Sequence, residues 1–204
     1  MNPWETIDLE VYEKHMSLES VNQLQSMNAT MKSQFSTYPV HSIMILGIAG
    51  GNGLEHIDNN SIHKVYGVDV NKEYLRQCQD RYPNLSGVFE TVHTDLMQED
   101  CQLPYADLLI ANLLVEYIGY DCFQRVVTKV KPQYVSVVIQ INIDESFVSD
   151  SPYLHAFDGL DEVHYQMEEE TLIQAMLAIG YTKQLQEESH LPNAKKLVRL
   201  DFSK

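Results

Sequence analysis

An apolar run and a cluster of glycines stand next to each other near residue 45 of this chain. The run is Ser42–Leu46, and four glycines follow within residues 47–53. The pattern predicts a strand, a tight turn and the N-terminus of a helix. Because glycine has no side chain, backbone N–H groups in such a turn can approach a nucleotide-like ligand closely.

A second apolar run ends in an acid about twenty residues beyond the glycines, which is the spacing of a ribose-binding acid. This run is Lys64–Asp69. A carboxylate at the tip of the second strand suits a ribose diol, because one carboxylate can accept both hydroxyl protons. The alternative is that Asp69 caps the helix predicted to begin near Asn71. We favour the ribose role because the glycine turn lies upstream.

The glycine spacing distinguishes between classes of nucleotide. The dinucleotide pattern G-x-G-x-x-G fits poorly, because Ala49 and Asn52 fall where the second and third glycines belong. The spacing G-x-G-x-G fits Ala49, Gly51 and Gly53 better. At this point the chain resembles the class I S-adenosylmethionine-dependent methyltransferases, whose first motif reads acid-x-G-x-G-x-G, with Gly47 in place of the acid.

The resemblance continues to the C-terminus. Residues Val92–Leu96 look like the family's third-strand motif, in which the acid, here Asp95, meets the adenine amino group. Residues Ala106–Asn112 look like the fourth strand, which closes the cofactor pocket. The tail from Gly180 to Phe202 looks like the closing antiparallel strands. Asp95 has an alternative role as a cap for the loop that follows it.

The resemblance implies a fold, a cofactor and a set of binding residues. The fold is α/β, a Rossmann-like doubly wound seven-stranded sheet, mostly parallel with one antiparallel strand, in three αβα layers. The cofactor is S-adenosyl-L-methionine, and the implied activity is methyl transfer to a small-molecule acceptor. The implied cofactor-binding residues are Gly47, Ala49, Gly51, Gly53, Asp69, Val70, Asp95, Leu96 and Asn112.

Individual roles within this set differ. Val70 and Leu96 flank the two acids and are suited to sandwich the purine ring. Gly47 replaces the family's acid and Ala49 its first glycine. We expect Ala49 to keep a negative φ or nearly so, because a side chain disfavours the left-handed region. In this family the N-terminal helical segment, which carries Trp4 and Tyr12 here, often covers the pocket.

The sequence assigns no catalytic residue. The stretch Asn112–Tyr117 lacks the N-P-P-Y-like motif of methyltransferases that act on bases or amides. Glu116 and Tyr117 are expected near the methyl end of the cofactor, with a surface or capping role as the alternative. Four residues are candidate general bases by residue type alone. They are Tyr12, His15, His93 and His164.

Two other functions remain open. A nicotinamide-dependent oxidoreductase shares the glycine turn, but the glycine spacing and the antiparallel tail disfavour it. A non-catalytic protein that keeps the cofactor fold as a scaffold is favoured by the departures at Gly47 and Ala49. Binding of the cofactor without turnover would indicate the scaffold.

Composition limits the partners. The formal net charge is −15, so we expect no nucleic-acid partner, because phosphate backbones bind basic surfaces. The largest basic cluster, Lys195-Lys196, is expected to blunt an edge-like strand. No apolar run approaches a membrane span, and no signal peptide is apparent. The three cysteines form no zinc or redox motif, which predicts a cytoplasmic protein without a metal; its oligomeric state stays open.

The periodicity of the chain predicts one domain of 204 residues. An N-terminal helical region spans residues 1–40, with a break near His15 and a cap at Ser17. Five strands then alternate with helices, which predicts a parallel sheet. No helix separates the last two strands, so we expect Leu197–Phe202 to insert antiparallel between the fifth and sixth. The long segment 142–167, rich in aromatic residues, is a candidate cover for the acceptor.

Overall fold

A computed structural model describes residues 2–142, 148–192 and 194–204. The described residues form a seven-stranded sheet with the strand order β3-β2-β1-β4-β5-β7-β6. The strands are β1 (Ser42–Leu46), β2 (Lys64–Asp69), β3 (Phe89–His93), β4 (Leu108–Asn112), β5 (Tyr134–Asn142), β6 (Thr182–His190) and β7 (Lys195–Ser203).

The first five strands are parallel to one another. Strand β7 lies between β5 and β6 and runs antiparallel to both. This confirms the predicted fold class and the predicted insertion of the last strand. The physical reason is the short connection after β6, because only antiparallel neighbours can be joined without a long crossover.

Helices cover both faces of the sheet. They are α1 (Leu9–Ser17), α2 (Gln23–Thr37), α3 (Lys72–Arg81), α4 (Val115–Val130) and α5 (Glu169–Ala178). Residues of α4 and α5 pack with one set of alternating strand residues, and residues of α2 and α3 pack with the other set. Burial of both faces explains why the parallel strands are almost continuously apolar. None of the helices in the described ranges is long and apolar enough to cross a lipid bilayer.

The boundary between the two N-terminal helices lies further along the chain than the predicted break near His15. Helix α1 runs through His15 and ends at Ser17, and α2 begins after Asn22, whose φ is 51°. Ser17 does not cap α2, because its hydroxyl donates to the carbonyl of Lys14 within α1. The predicted cap was wrong because the next residue, Leu18, has already left the helical conformation.

Helix α4 contains an internal break. Gly119 has φ 73° and ψ 167° inside it, so a separate turn, residues 115–118, precedes the regular part of the helix. Glycine tolerates this positive φ because it has no Cβ. The break separates Glu116 and Tyr117 from the regular part of α4, and the Glu116 carboxylate accepts the backbone N–H of Gln140 in β5.

The helix that follows the glycine turn is shorter than the helix at this position in most nucleotide-binding folds. The helix whose N-terminus the sequence predicts after the glycines is a three-residue 3₁₀ turn, Leu54–His56. A single 3₁₀ turn aligns few N–H groups, so the expected helix N-terminus supplies little to a ligand here. The polar turn that begins at Asp58 accounts for the early end, because its carboxylate accepts the N–H of Asn60.

Lys195 and Lys196 lie on β7, which is an internal strand and not an edge strand of the sheet. Because β7 is internal, Lys195 is only 2% exposed, and its ammonium donates to the Ser149 hydroxyl at 3.1 Å. Lys196 forms ion pairs with Glu169 and Glu188. The expectation that these residues blunt an edge strand was therefore wrong.

Candidate functional site

A cavity of about 360 Å³ lies where the carboxyl ends of β1, β2 and β4 meet the loop after β3. Strands β1 and β4 are neighbours in the sheet although β2 and β3 intervene in the sequence. This is the topological switch point of the sheet, where open α/β proteins bind ligands. The volume lies within the range of small-molecule and cofactor pockets.

Seven of the nine residues expected to bind a cofactor line this cavity. They come from four loops that are far apart in the sequence and meet only in the fold. They are Gly47, Ala49, Asp69, Val70, Asp95, Leu96 and Asn112. The cavity also contacts residues that the sequence did not single out, among them Tyr74, Met97 and Leu114.

Gly51 and Gly53 are not among the residues that line the cavity. Their φ angles are 81° and 93°. A Cβ at Gly51 would lie 2.6 Å from the sulfur of Cys78, and one at Gly53 would lie 2.8 Å from Cβ of Met31. These glycines let the turn pack against α3 and α2, and their role toward a cofactor stays a prediction.

Asp69 ends β2 at the cavity wall and is 8% exposed. Its two oxygens accept the N–H groups of Ala49 and Asn71, each at 2.9 Å. Burial raises the pKa of its carboxyl group, and these hydrogen bonds oppose the shift. The side chain of Asn71, not that of Asp69, caps α3, so the capping alternative was wrong. Each carboxylate oxygen can accept a second hydrogen bond, which leaves capacity for a ligand hydroxyl.

Two residues beside the cavity have strained backbones. Ala49 has φ 47° and Leu113, just after β4, has φ 54°. The expectation of a negative φ at Ala49 was wrong, because its N–H turns toward Asp69 and the bond holds the residue in the left-handed region. Strain of this kind concentrates at functional sites.

Asp95 and Asn112 have internal partners besides the cavity. Asp95 accepts the N–H of Met97 at 2.9 Å, so it caps its own loop while bordering the cavity. The amide of Asn112 exchanges two hydrogen bonds with the amide of Gln34, both at 2.9 Å. Gln34 is fully buried and also donates to Ser136. Sequence reasoning missed Gln34 because nothing local to α2 indicates that its amide reaches β4.

The N-terminal segment covers one side of the cavity. Asn2, Pro3 and Trp4 line it. The Asn71 amide donates to the carbonyl of Trp4 at 2.9 Å, and a tyrosine of α3 donates to the carbonyl of Ile7 at 2.8 Å. The cover is therefore fastened to the helix that follows Asp69.

The described part of segment 142–167 borders the same region. Glu162, Val163 and Tyr165 line the large cavity. Phe157 is buried and packs in a small apolar cluster with Ile7 and Leu160. Phe147 lies outside the described residues. The contacts suit both a cover for the acceptor and a structural anchor, and the role of the segment stays a prediction.

A smaller cavity of about 60 Å³ adjoins the first. The two share the residues Trp4, Tyr12, Leu113 and Tyr117. Three of the four candidate bases, Tyr12, His15 and His164, line the smaller cavity. His93 lines neither; it is exposed and bonds the carbonyl of Val70 at 3.0 Å.

Glu116 also lines the smaller cavity. It is only 3% exposed, so the surface alternative was wrong. Burial raises the pKa of its carboxyl group from 4.5 to about 7. A carboxyl group with that pKa can hold or release a proton near neutral pH.

No protein-family model matches the chain, and no curated protein does so. Solved structures are similar to it in fold. The N-methyltransferase NodS from Bradyrhizobium japonicum WM9, solved with S-adenosyl-L-homocysteine, has a TM-score of 0.68 at 12% identity, over 100% of this chain and 99% of that one. An S-adenosylmethionine-dependent methyltransferase from Mesorhizobium loti has a TM-score of 0.65 at 14% identity, over 89% and 100%.

One of the similar structures is named for an activity other than methyl transfer. The (4+2)-cyclase SpnF has a TM-score of 0.64 at 11% identity, over 88% of this chain and 80% of that one. Identities this low establish the fold and not the chemistry. The chain thus has the class I methyltransferase-like fold that its motifs predict.

Proposed function

We propose that the chain binds S-adenosyl-L-methionine in the large cavity and transfers its methyl group to a small-molecule acceptor. The observation that carries the proposal is Asp69. Its carboxylate stands at the tip of β2, borders the cavity and keeps acceptor capacity for a ribose diol. Similar structures solved with S-adenosyl-L-homocysteine, such as NodS, support the same ligand.

The residues present fit this cofactor. Gly47 is exposed and presents bare backbone to the cavity. Val70 and Leu96, each of which follows one of the two acids in the sequence, add apolar surface to the cavity wall. The group that these residues would hold supplies a sulfonium methyl, which is already activated for transfer. The protein then has to align the acceptor and exclude water, and alignment can contribute about 7–11 kcal/mol.

The cover helps with both tasks. Trp4 and Tyr12 border both cavities, so the N-terminal segment covers one side of the space where a cofactor and an acceptor would meet. The two rings contact each other edge to face, with centroids 5.8 Å apart. An aromatic wall on this side would limit the access of water that competes with the acceptor.

Binding calorimetry tests the proposal. We expect S-adenosyl-L-homocysteine to bind the wild-type protein, and Asp69→Ala to weaken binding about tenfold or more, because a charge-assisted contact is lost. The exposed Asp100 provides a control, and Asp100→Ala should leave the affinity unchanged. Melting temperatures verify that each variant folds. Equal affinity in folded Asp69→Ala would refute the ribose assignment.

A second candidate is a scaffold that binds the cofactor without transferring its methyl group. The observation in its favour is the strained Ala49, together with the glycine in place of the motif's acid at residue 47. Incubation with methyl-labelled cofactor and a library of acceptors separates the two candidates. Labelled product supports transfer, whereas tight binding with no product from any acceptor supports the scaffold. The antiparallel β7 disfavours the nicotinamide-dependent alternative.

A further inference from the structure

The smaller cavity combines aromatic rings with a buried carboxylate. Trp4, Tyr12, Tyr117 and Phe157 line it together with Glu116. The rings of Trp4 and Tyr117 meet edge to face with centroids 4.9 Å apart. A volume of about 60 Å³ has room for a few heavy atoms, which is the size of a functional group and not of a whole substrate.

One oxygen of Glu116 is bonded and the other is not. Oε1 accepts the backbone N–H of Gln140 at 2.7 Å. Oε2 is buried and has no hydrogen-bond partner among the residues that the structure describes. The indole N–H of Trp4 has none there either. Buried polar atoms without partners are rare and costly, so two of them around one cavity point to a bound molecule.

The charges around the cavity favour a particular kind of molecule. Burial lowers the pKa of His15 and of His164, so both imidazoles are mainly neutral. The charge of Lys195, whose ammonium donates to the Ser149 hydroxyl, also lowers both imidazole pKa values. An anionic Glu116 thus attracts a positively charged or N–H-donating guest, and aromatic faces attract the same guest. The net charge of −15 also favours cations over anions.

We propose that the smaller cavity is the acceptor subsite of the proposed methyl transfer and that it takes the amine head group of a small acceptor, bonded through its N–H to Oε2 of Glu116. The assignment rests on the proposed function, because the shared wall of Trp4, Tyr12, Leu113 and Tyr117 joins this subsite to the cofactor cavity. The remainder of the acceptor extends toward residues 148–164, several of which line the smaller cavity.

Trp4 provides a direct measurement, because it is the only tryptophan of the chain. Its fluorescence is followed while propylamine, 1-propanol or propionate is added at matched ionic strength and about pH 8, where Glu116 is mainly ionised. We expect propylamine to bind at least about tenfold more tightly than 1-propanol, because its hydrogen bond to the carboxylate is charge-assisted. Propionate should not bind.

Glu116→Gln removes the charge and keeps the size and the bond from Gln140. We expect this variant to lose most of the preference for propylamine over 1-propanol. Glu170→Gln, an exposed change on α5, is the matched control and should keep the preference. A preference that survives in Glu116→Gln, or equal binding of amine and alcohol to the wild-type protein, would overturn the assignment.

The same titrations with S-adenosyl-L-homocysteine present separate this inference from the proposed function. If the homocysteine compound binds and no amine preference exists, the subsite assignment fails and cofactor binding stands. If the homocysteine compound does not bind while a Glu116-dependent amine preference exists, the amine site stands and the proposed function fails. Enhanced or unchanged amine preference with the compound bound supports both.

Discussion

Ala49 has a φ of 47° at the turn after β1, in a motif where the methyltransferase family has glycine. The left-handed conformation costs an alanine about 1–2 kcal/mol. The cost is tolerated because the N–H of Ala49 bonds the carboxylate of Asp69 at 2.9 Å. The residue thus holds the β1 turn against the end of β2, where the proposed ribose contact lies.

Ala49→Gly should stabilise the protein. Glycine adopts φ near 47° without strain, which we expect to outweigh its larger entropy in the unfolded chain and to raise the free energy of unfolding by about 1 kcal/mol. Urea denaturation measures the change. Ala29→Gly, at an exposed position in the interior of α2, is the control and should lower stability by a similar amount. A loss of stability in Ala49→Gly would show that its methyl group is needed for packing.

Glu116 should make stability depend on pH. Its pKa is raised from 4.5 to about 7, so the unfolded chain releases this proton at lower pH than the folded protein does. Stability should therefore fall as pH rises from about 4.5 to about 7, by up to about 3 kcal/mol. Glu116→Gln has no such proton to lose. The difference in free energy of unfolding between the two proteins, measured by urea denaturation, should therefore change progressively across that pH range. Parallel pH profiles would contradict the burial of an uncompensated carboxyl group.

Some site residues were predictable from the sequence and others were not. Asp69 follows from a local pattern, an apolar strand that ends in an acid after a glycine turn. The strain at Ala49 depends on a hydrogen bond across twenty positions, which no local pattern records. The burial of Glu116 depends on the break at Gly119 and on Gln140 of β5, so its environment appears only in the folded chain.

At the scale of elements, the alternation of strands and helices correctly predicted a parallel sheet, and the large cavity lies at the carboxyl ends of its strands. The predicted runs Ser42–Leu46 and Lys64–Asp69 coincide with β1 and β2, and the run Ala106–Asn112 begins two residues before β4. Buried parallel strands are predictable because they are apolar runs bounded by turn residues. The division between α1 and α2 was misplaced, since Ser17 resembles a cap by residue type alone. Tertiary contacts, such as the bond from Gln34 to Ser136, decide how α2 docks.

The segment after β5 should matter more to the acceptor than to the cofactor. Replacing Ser149–Asp158 with a glycine-serine link removes Phe157 and Ser149 from the smaller cavity but leaves Glu162, Val163 and Tyr165 at the larger one. We expect S-adenosyl-L-homocysteine to keep its affinity while propylamine binding and turnover fall. The melting temperature should also fall, because Phe157 is buried. Loss of cofactor binding would instead indicate a structural anchor.

At the scale of the whole molecule, both cavities of the proposed function lie at the carboxyl ends of the parallel strands. The carboxyl ends of β1, β2 and β4 form the large cavity, and the turn before Gly119 joins it to the smaller one. The order of motifs along the chain was enough to predict this edge, because parallel strands with right-handed crossovers leave few topologies. The smaller cavity, which is the proposed acceptor subsite, was not predictable, because the N-terminal segment, α4 and the segment after β5 all line it.

A crystal structure with S-adenosyl-L-homocysteine tests the central claim most directly. We predict that the ribose hydroxyls lie within hydrogen-bonding distance, about 2.5–3.0 Å, of the Asp69 carboxylate. The purine should lie between Val70 and Leu96, and the sulfur should face the wall shared with the smaller cavity. A complex with the ligand bound elsewhere, or with its ribose directed away from Asp69, would contradict the account.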